Sequence, residues 1–223
     1  MKTISIAIDG PAGAGKSTIS KTVAKELGFT YIDTGAMYRA VALYALTQGM
    51  DTKNTDGALA RALDGVTIDL AYQDGAQRIY LNGGDVSEAI RTPKVSMGAS
   101  DVATVPAVRL KLVELQRALA KRQNVIMDGR DIGTYVLPDA DIKIYLTADV
   151  EDRAKRRFDE LSAKGTEVSF EEVLEDMKKR DLNDSTRDFA PLRRAEDAAL
   201  IDTTGASLAE SVNKILTYIK KQL

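Results

Sequence analysis

Residues Gly10-Pro11-Ala12-Gly13-Ala14-Gly15-Lys16-Ser17 fill the pattern G-x-x-x-x-G-K-[ST], with Thr18 directly after it. The glycines let the backbone curl so that its N–H groups point inward at phosphate oxygens. A helix that starts near Lys16 aims the positive end of its dipole at the same point. Lys16 reaches the β- and γ-phosphates of a bound triphosphate, and Ser17 supplies a hydroxyl for Mg²⁺. The chemistry expected is binding of ATP and transfer of its terminal phosphoryl group.

A second group of charged residues lies in the C-terminal half. Arg153, Arg156 and Arg157 stand at helical i, i+3 and i+4 positions before the polar loop Ser162–Val168. Arg180, Asp184 and Arg187 follow at i, i+4 and i+7. Arginines on both sides of a short lid, about 157–169, suit a clamp on a transferring phosphoryl group, and closure of the lid would exclude water. A solvated, ion-paired helix face has the same spacing.

Composition narrows the chemistry further. There are no cysteines and no histidines. Disulfides, thiol nucleophiles, Cys/His zinc sites and imidazole acid–base catalysis are therefore excluded. The net charge of −2 suggests no nucleic-acid surface. Met1–Ile8 turns polar at Asp9, too early for a signal peptide, and no apolar run approaches a membrane span. The expectation is a cytoplasmic protein.

The elements that must position these groups follow from periodicity. Thr3–Ile8 reads as a buried strand, Lys16–Leu27 as a helix stopped by Gly28, Thr30–Ile32 as a strand, and Ala36–Gln48 as a helix ended by Gly49. Val66, Ile68, Leu70 and Tyr72 alternate with polar residues, Asp74-Gly75 signals a hairpin, and Arg78–Leu81 returns. Residues 65–91 are thus read as a small antiparallel insert. Pro106 opens a long helix, and Val125–Met127, Ile142–Leu146 and Ala199–Ile201 are further strands. Helices are expected over Val150–Leu161, from a Ser169/Glu172 capping box, and over Ser207–Lys221.

Alternating strands and helices predict an α/β fold of the P-loop kinase type: a mainly parallel central sheet flanked by helices, a small β insert and a short lid, within one domain of 1–223. Gly10–Ser17, Thr34, Asp128 and Asp202 then fall at the carboxyl ends of strands, where such folds bind ligands. Asp128 ends an apolar strand, as expected for a carboxylate that orients Mg²⁺ or its waters.

Three classes of P-loop protein compete. A GTPase switch needs an N/T-K-x-D segment; Thr52-Lys53-Asn54-Thr55-Asp56 is one residue off register, and Asp202-Thr203-Thr204-Gly205 matches only a short D-x-x-G string. A small-metabolite kinase of the shikimate type has the loop and lid but no reason for the insert. The third class is the nucleoside monophosphate kinases. Here Gly10–Thr18, the segment Asp33-Thr34-Gly35-Ala36-Met37-Tyr38-Arg39, the segment Asp128-Gly129-Arg130-Asp131 and the arginines from Arg180 to Arg187 resemble the bacterial cytidylate kinases over nearly the whole chain.

That resemblance implies transfer from ATP to CMP or dCMP. Nothing in the sequence demands a partner chain, so a monomer is expected, with neither nucleic acid nor membrane as partner. By position the resemblance assigns Thr34, Arg39, Ser100, Arg109, Arg130, Asp131, Arg180 and Arg187 to the acceptor; Asp184, on the same helix as Arg180, is read with them, and Gly10, Pro11, Ala12, Gly13, Ala14, Gly15, Lys16, Ser17 and Thr18 hold ATP by the loop motif. The expected catalytic set is Lys16 from the loop motif, Arg153 and Arg157 from their place before the lid, and Arg130 and Arg180 on the phosphates, with Ser17 and Asp128 on the metal. Thr34 stands where the family pattern has serine, and the hydroxyl is kept. The amino group of cytosine is a donor where uracil has an acceptor, so a carboxylate at Asp131 would favour cytosine. Ser100 and Arg109 suit the ring nitrogen and carbonyl. Arg130 and Asp131 could instead simply pair with each other, Arg109 could be a solvated helix residue, and Asp33 could cap the helix that follows.

Overall fold

The structure is a computed structural model that describes residues 3–73, 76–163 and 165–223. In chain order the elements are β1 (Ser5–Asp9), α1 (Lys16–Leu27), β2 (Thr30–Asp33), α2 (Thr34–Thr47), α3 (Ala58–Ala62), β3 (Ile68–Gln73), β4 (Ala76–Leu81) and β5 (Gly84–Asp85). There follow α4 (Pro93–Val102), α5 (Pro106–Ala120), β6 (Val125–Gly129), β7 (Ile142–Thr147), α6 (Val150–Ala163), α7 (Phe170–Thr186), β8 (Ala199–Asp202) and α8 (Leu208–Gln222). The chain divides into two compact units, one of residues 1–31 with 123–223 and one of residues 32–122. Among the described residues no helix is long and apolar enough to cross a membrane.

The first unit is built on a sheet of order β2-β6-β1-β7-β8, in which β1 pairs parallel with β6 and β7, and β7 with β8. Ile6, Ala7 and Ile8 are fully buried, as are Val125, Ile126 and Met127. Such continuous apolar runs mark strands covered on both faces. Ile19 and Val23 of α1 and Val212, Ile215 and Ile219 of α8 pack on Ile6, Ile8, Ile126 and Ile144. The register sets Ile8 beside Asp128 and Asp9 beside Gly129 and Tyr145. The segments leaving β1, β6 and β7 therefore start side by side at one edge of the sheet.

Helices α6 and α7 pack through Ala154, Val173 and Met177, with Phe158 and Phe170 edge to face at 6.2 Å. The expected Ser169/Glu172 capping box is present. α6 runs two residues beyond the expected Leu161, because the stop signal is Gly165 (φ 73°), not the polar character of Ser162. Gly165 and Thr166 donate their N–H groups to the Ser162 and Leu161 carbonyls and close the helix in a Schellman pattern.

In the second unit α2, α4 and α5 enclose a core that includes Met37, Val41, Leu59, Val102, Val108 and Leu112. The antiparallel sheet β3-β4-β5 matches the expected insert, with Ile68 opposite Leu81 and Leu70 opposite Ile79. The Asp74-Gly75 turn lies outside the described residues. α4 was not expected from the sequence. Its start is standard, since Thr92 caps Val95 N–H and Pro93 takes the first turn. Its buried face is Val95, Gly98, Ala99, Ser100 and Val102, too small and too polar to show an apolar stripe. A Cβ on Gly98 would lie 3.3 Å from the Ala42 side chain, so α4 approaches α2 closely because that atom is missing.

Candidate active site

The loop after β1 is shaped by contact as well as by conformation. A Cβ on Gly10 would fall 1.9 Å from the Leu146 carbonyl oxygen, so only glycine passes β7 at this point. Gly13 and Gly15 adopt left-handed conformations (φ 73° and 83°), and α1 begins at Lys16. The Lys16 ammonium is buried and donates to the Pro11 carbonyl at 2.6 Å. Burial, and then the Arg130 cation, hold Lys16 well below the usual lysine range, against the pull of Asp128 and Asp184.

Asp128 ends β6 beside the start of α1. Its Oδ2 accepts from Ser17 Oγ at 2.7 Å, and its Oδ1 accepts from the Tyr31 hydroxyl at 3.1 Å. One hydroxyl and one carboxylate make the sparse oxygen set that Mg²⁺ uses when substrate phosphates and water complete its shell.

The arginines do not pair as neighbours in sequence. Arg130 Nε donates to Asp184 Oδ2 of α7 at 2.7 Å, and Arg187 Nη2 donates to Asp131 Oδ1 at 3.2 Å. The simple Arg130–Asp131 pair considered from sequence is thus replaced by two longer-range pairs. Arg187 stands just past α7 and also donates to the Ala190 carbonyl at 2.7 Å. Although burial raises it, the Arg130 and Arg180 cations and the Arg130 hydrogen bond hold the Asp184 carboxyl below the usual aspartate range.

The residues before the lid face three different ways. Arg153 Nη1 donates to the Ala12 carbonyl of the phosphate loop at 2.8 Å, its Nε donates to the Ala148 carbonyl, and its Nη2 pairs with Asp181 at 2.7 Å. Arg156 pairs with Asp152 and donates to the Thr203 carbonyl, and Arg157 pairs with Glu160 on its own helix.

In the second unit Thr34 and Arg39 sit on the first turns of α2. Asp33 caps that helix, accepting from Ala36 N–H at 2.8 Å, and its other oxygen accepts from Arg39 Nη2 at 2.8 Å. Ser100 is buried on α4, its Oγ without a hydrogen-bond partner among the described residues. Arg109 is fully buried on α5 and donates to the Ala103 carbonyl at 3.3 Å. Its guanidinium carbon lies 5.7 Å from the centre of the Tyr38 ring, a cation–π contact. A solvated helix position, the alternative open from sequence, does not describe it.

The first unit therefore gathers Lys16, Ser17, Asp128, Arg130, Asp131, Arg180, Asp184 and Arg187, and the second holds Thr34, Arg39, Ser100 and Arg109. Two polar groups were missed from sequence. Tyr31 looked like part of a short apolar strand and gave no signal. Asp9 is a carboxylate at the end of an apolar strand, directly before the phosphate loop, and that placement was the signal available.

The family model for cytidylate kinase matches residues 6–221. The chain belongs to the cytidylate kinase family. It is 55% identical over 99% of its length to a cytidylate kinase of Caldicellulosiruptor saccharolyticus, of which 97% is covered. It is 48% identical to a cytidylate kinase of Halalkalibacterium halodurans over the full length of both. Among solved structures, one described as an uncharacterized protein from Eubacterium ventriosum resembles it in fold, with a TM-score of 0.54 at 15% identity over 99% of each chain. Membership of this kinase family implies ATP as a substrate.

Proposed function

We infer that the chain transfers the γ-phosphoryl group of ATP to CMP or dCMP, giving ADP and CDP or dCDP. The observation that carries this reading is the β1–β6 register, with Ile8 beside Asp128 and Asp9 beside Gly129. It starts the phosphate loop next to a segment that presents Asp128, an arginine and a further carboxylate in succession.

Transfer requires an acceptor phosphate oxygen to attack the γ-phosphorus while the bond to the β–γ bridging oxygen breaks and its electrons leave with ADP. A nucleoside monophosphate has a second pKa near 6, so it is largely dianionic at about pH 7 and needs no base to deprotonate it. The absence of histidine is then no obstacle. Catalysis reduces to alignment and charge neutralisation. The backbone of Gly10–Thr18 holds the donor phosphates, and Lys16 meets the transferring group. Ser17 and Asp128 would hold Mg²⁺, which supplies further neutralisation when bound. Arg130 and Arg180 are assigned to the transferring and acceptor phosphates, and Arg153 and Arg157 to donor-side stabilisation through the phosphate loop and the lid.

Thr34, Arg39 and Arg187 are assigned to the acceptor phosphate, with Asp184 holding Arg130 in place. Ser100, Arg109 and Asp131 are assigned to the base. The buried Ser100 hydroxyl and the buried Arg109 guanidinium support this, because polar groups so placed penalise a base that leaves them unpaired. Residues 65–91 are proposed as the monophosphate-binding insert and 157–169 as the lid of one kinase domain spanning 1–223. The enzyme is proposed to act in the cytoplasm as a monomer, on CMP, dCMP and ATP, with neither nucleic acid nor membrane as partner.

The test is ADP release from ATP with CMP, dCMP, UMP, AMP and GMP as acceptors. CMP and dCMP should give the highest kcat/KM. Nucleotide binding with negligible transfer to any of them would overturn the reading in favour of a nucleotide-dependent switch.

A further inference from the structure

Asp9 closes β1 one residue before the phosphate loop, and its side chain is buried. A buried carboxylate usually meets an arginine or lysine, but among the described residues none forms an ion pair with Asp9. Asp9 instead accepts two consecutive backbone amides: Ile132 N–H to Oδ1 at 2.8 Å and Gly133 N–H to Oδ2 at 2.7 Å.

Those amides belong to the two residues directly after Asp131. They open a single π-turn, Ile132–Val136, in which the Asp131 carbonyl accepts from both Tyr135 N–H and Val136 N–H. The Asp131 backbone lies at φ −146°, ψ 25°, outside the helical and strand basins. No regular element therefore dictates where Asp131 points. A Cβ on Gly133 would lie 3.4 Å from Asp9 Oδ2 and 3.2 Å from Lys143 Cδ, so a side chain there would touch the clamp and press on the Lys143 stem.

We propose that Asp9 is a positioning residue for acceptor specificity: by holding the amides of Ile132 and Gly133 it fixes the presentation of the Asp131 carboxylate to the base. The proposal rests on the assignment of Asp131 to cytosine. It also explains why a carboxylate is kept in an apolar strand end. Two N–H donors converge there, and only a carboxylate offers an acceptor oxygen to each; asparagine would turn its own NH₂ toward the second amide.

The arrangement carries a pH signature. Burial pushes Asp9 up to about 7, against the lowering effect of the two amides, with Asp131 raising it and Lys16 lowering it. The groups that face it are the Asp131 carboxylate after β6, the Lys16 ammonium of α1 and the Tyr145 hydroxyl of β7. Lys143 of β7 offers only its aliphatic stem, since its ammonium pairs with Asp197 at 2.7 Å. Protonation turns one Asp9 oxygen into a donor and releases one amide.

The experiment measures kcat/KM for CMP and UMP with wild type and Asp9→Asn between about pH 6 and 8, together with amide hydrogen exchange at Ile132 and Gly133. The CMP:UMP ratio cancels the titration of the acceptor phosphate, which both nucleotides share. In Asp9→Asn the CMP KM should rise and the ratio fall by about fivefold or more, with the ATP KM changed less than about twofold and exchange at the two amides faster. The wild-type ratio should fall as pH drops through about 7, and that of Asp9→Asn should stay flat. Gly133→Ala, which sets a methyl against Oδ2 and the Lys143 stem, should lower the ratio in the same direction, and it replaces Asp9→Asn if that variant does not fold. A discriminating wild type with an unchanged ratio in the variants overturns the proposal. A wild type without CMP preference overturns the acceptor reading instead. Unchanged amide protection in Asp9→Asn then overturns the clamp independently.

Discussion

Arg187 and Asp131 form an ion pair at 3.2 Å in which the two side chains are 4% and 6% exposed. The pair sets a guanidinium beside the Asp131 carboxylate, and an ionised carboxylate accepts from the cytosine amino group and repels the uracil oxygen. Asp131→Ala should therefore lower the CMP:UMP ratio of kcat/KM by at least about tenfold, mostly through CMP. It should also cost about 3 kcal/mol in denaturant unfolding, because it removes the carboxylate paired with a buried arginine. An unchanged ratio would remove Asp131 from base recognition.

Lys16 sits in the phosphate loop at the start of α1, its ammonium against the Pro11 carbonyl. Lys16→Ala should reduce kcat by at least about a hundredfold, since it removes charge stabilisation where phosphoryl transfer occurs. The unliganded fold should survive, because burial already disfavours the ammonium there. Paired kinetics and thermal melts check both halves.

Arg153 braces the phosphate loop through the Ala12 carbonyl and is itself held by Asp181. Arg153→Ala should raise the ATP KM more than the CMP KM, by about tenfold against about twofold. Equal effects on the two substrates would make Arg153 a general stability residue.

Two buried carboxylates should shift stability with pH in opposite senses. The folded pKa of Asp9 is raised to about 7 from 3.8, so the folded state holds the extra proton and stability falls as pH rises between those values. Asp184 is held below 3.8, so its contribution is present above that pH and is lost as pH falls through its folded pKa. Melting temperatures of Asp9→Asn relative to wild type should accordingly become more favourable from about pH 5 to about pH 8. Those of Asp184→Asn should become less unfavourable as pH drops below about 4.

Much of the donor half was legible because its signals are local. The apolar strand, the glycines, Lys16 and Gly28 lie within one short stretch, and the structure keeps their order. The hairpin strands and the Ser169 cap were likewise written in adjacent residues. α4 was hidden because its packing depends on a missing Cβ at Gly98, which periodicity scores as a defect. The π-turn after Asp131 was hidden because Asp9, which holds it, lies more than a hundred residues away. The same holds for Arg130 with Asp184 and Asp131 with Arg187: adjacency offered only an Arg130–Asp131 pair as an alternative, and the return of α7 supplies the long-range partners. Arg153 shares a helix with Arg157, yet the phosphate-loop carbonyl it meets could only be found by folding.

The most direct test of the central claim is a competition: wild-type protein, ATP and an equimolar mixture of CMP and UMP, with the diphosphate products separated and quantified at early times. The account predicts that CDP exceeds UDP by at least about tenfold, as expected of a base site whose buried polar groups the wrong nucleotide leaves unpaired. Equal yields, or an excess of UDP, would contradict it.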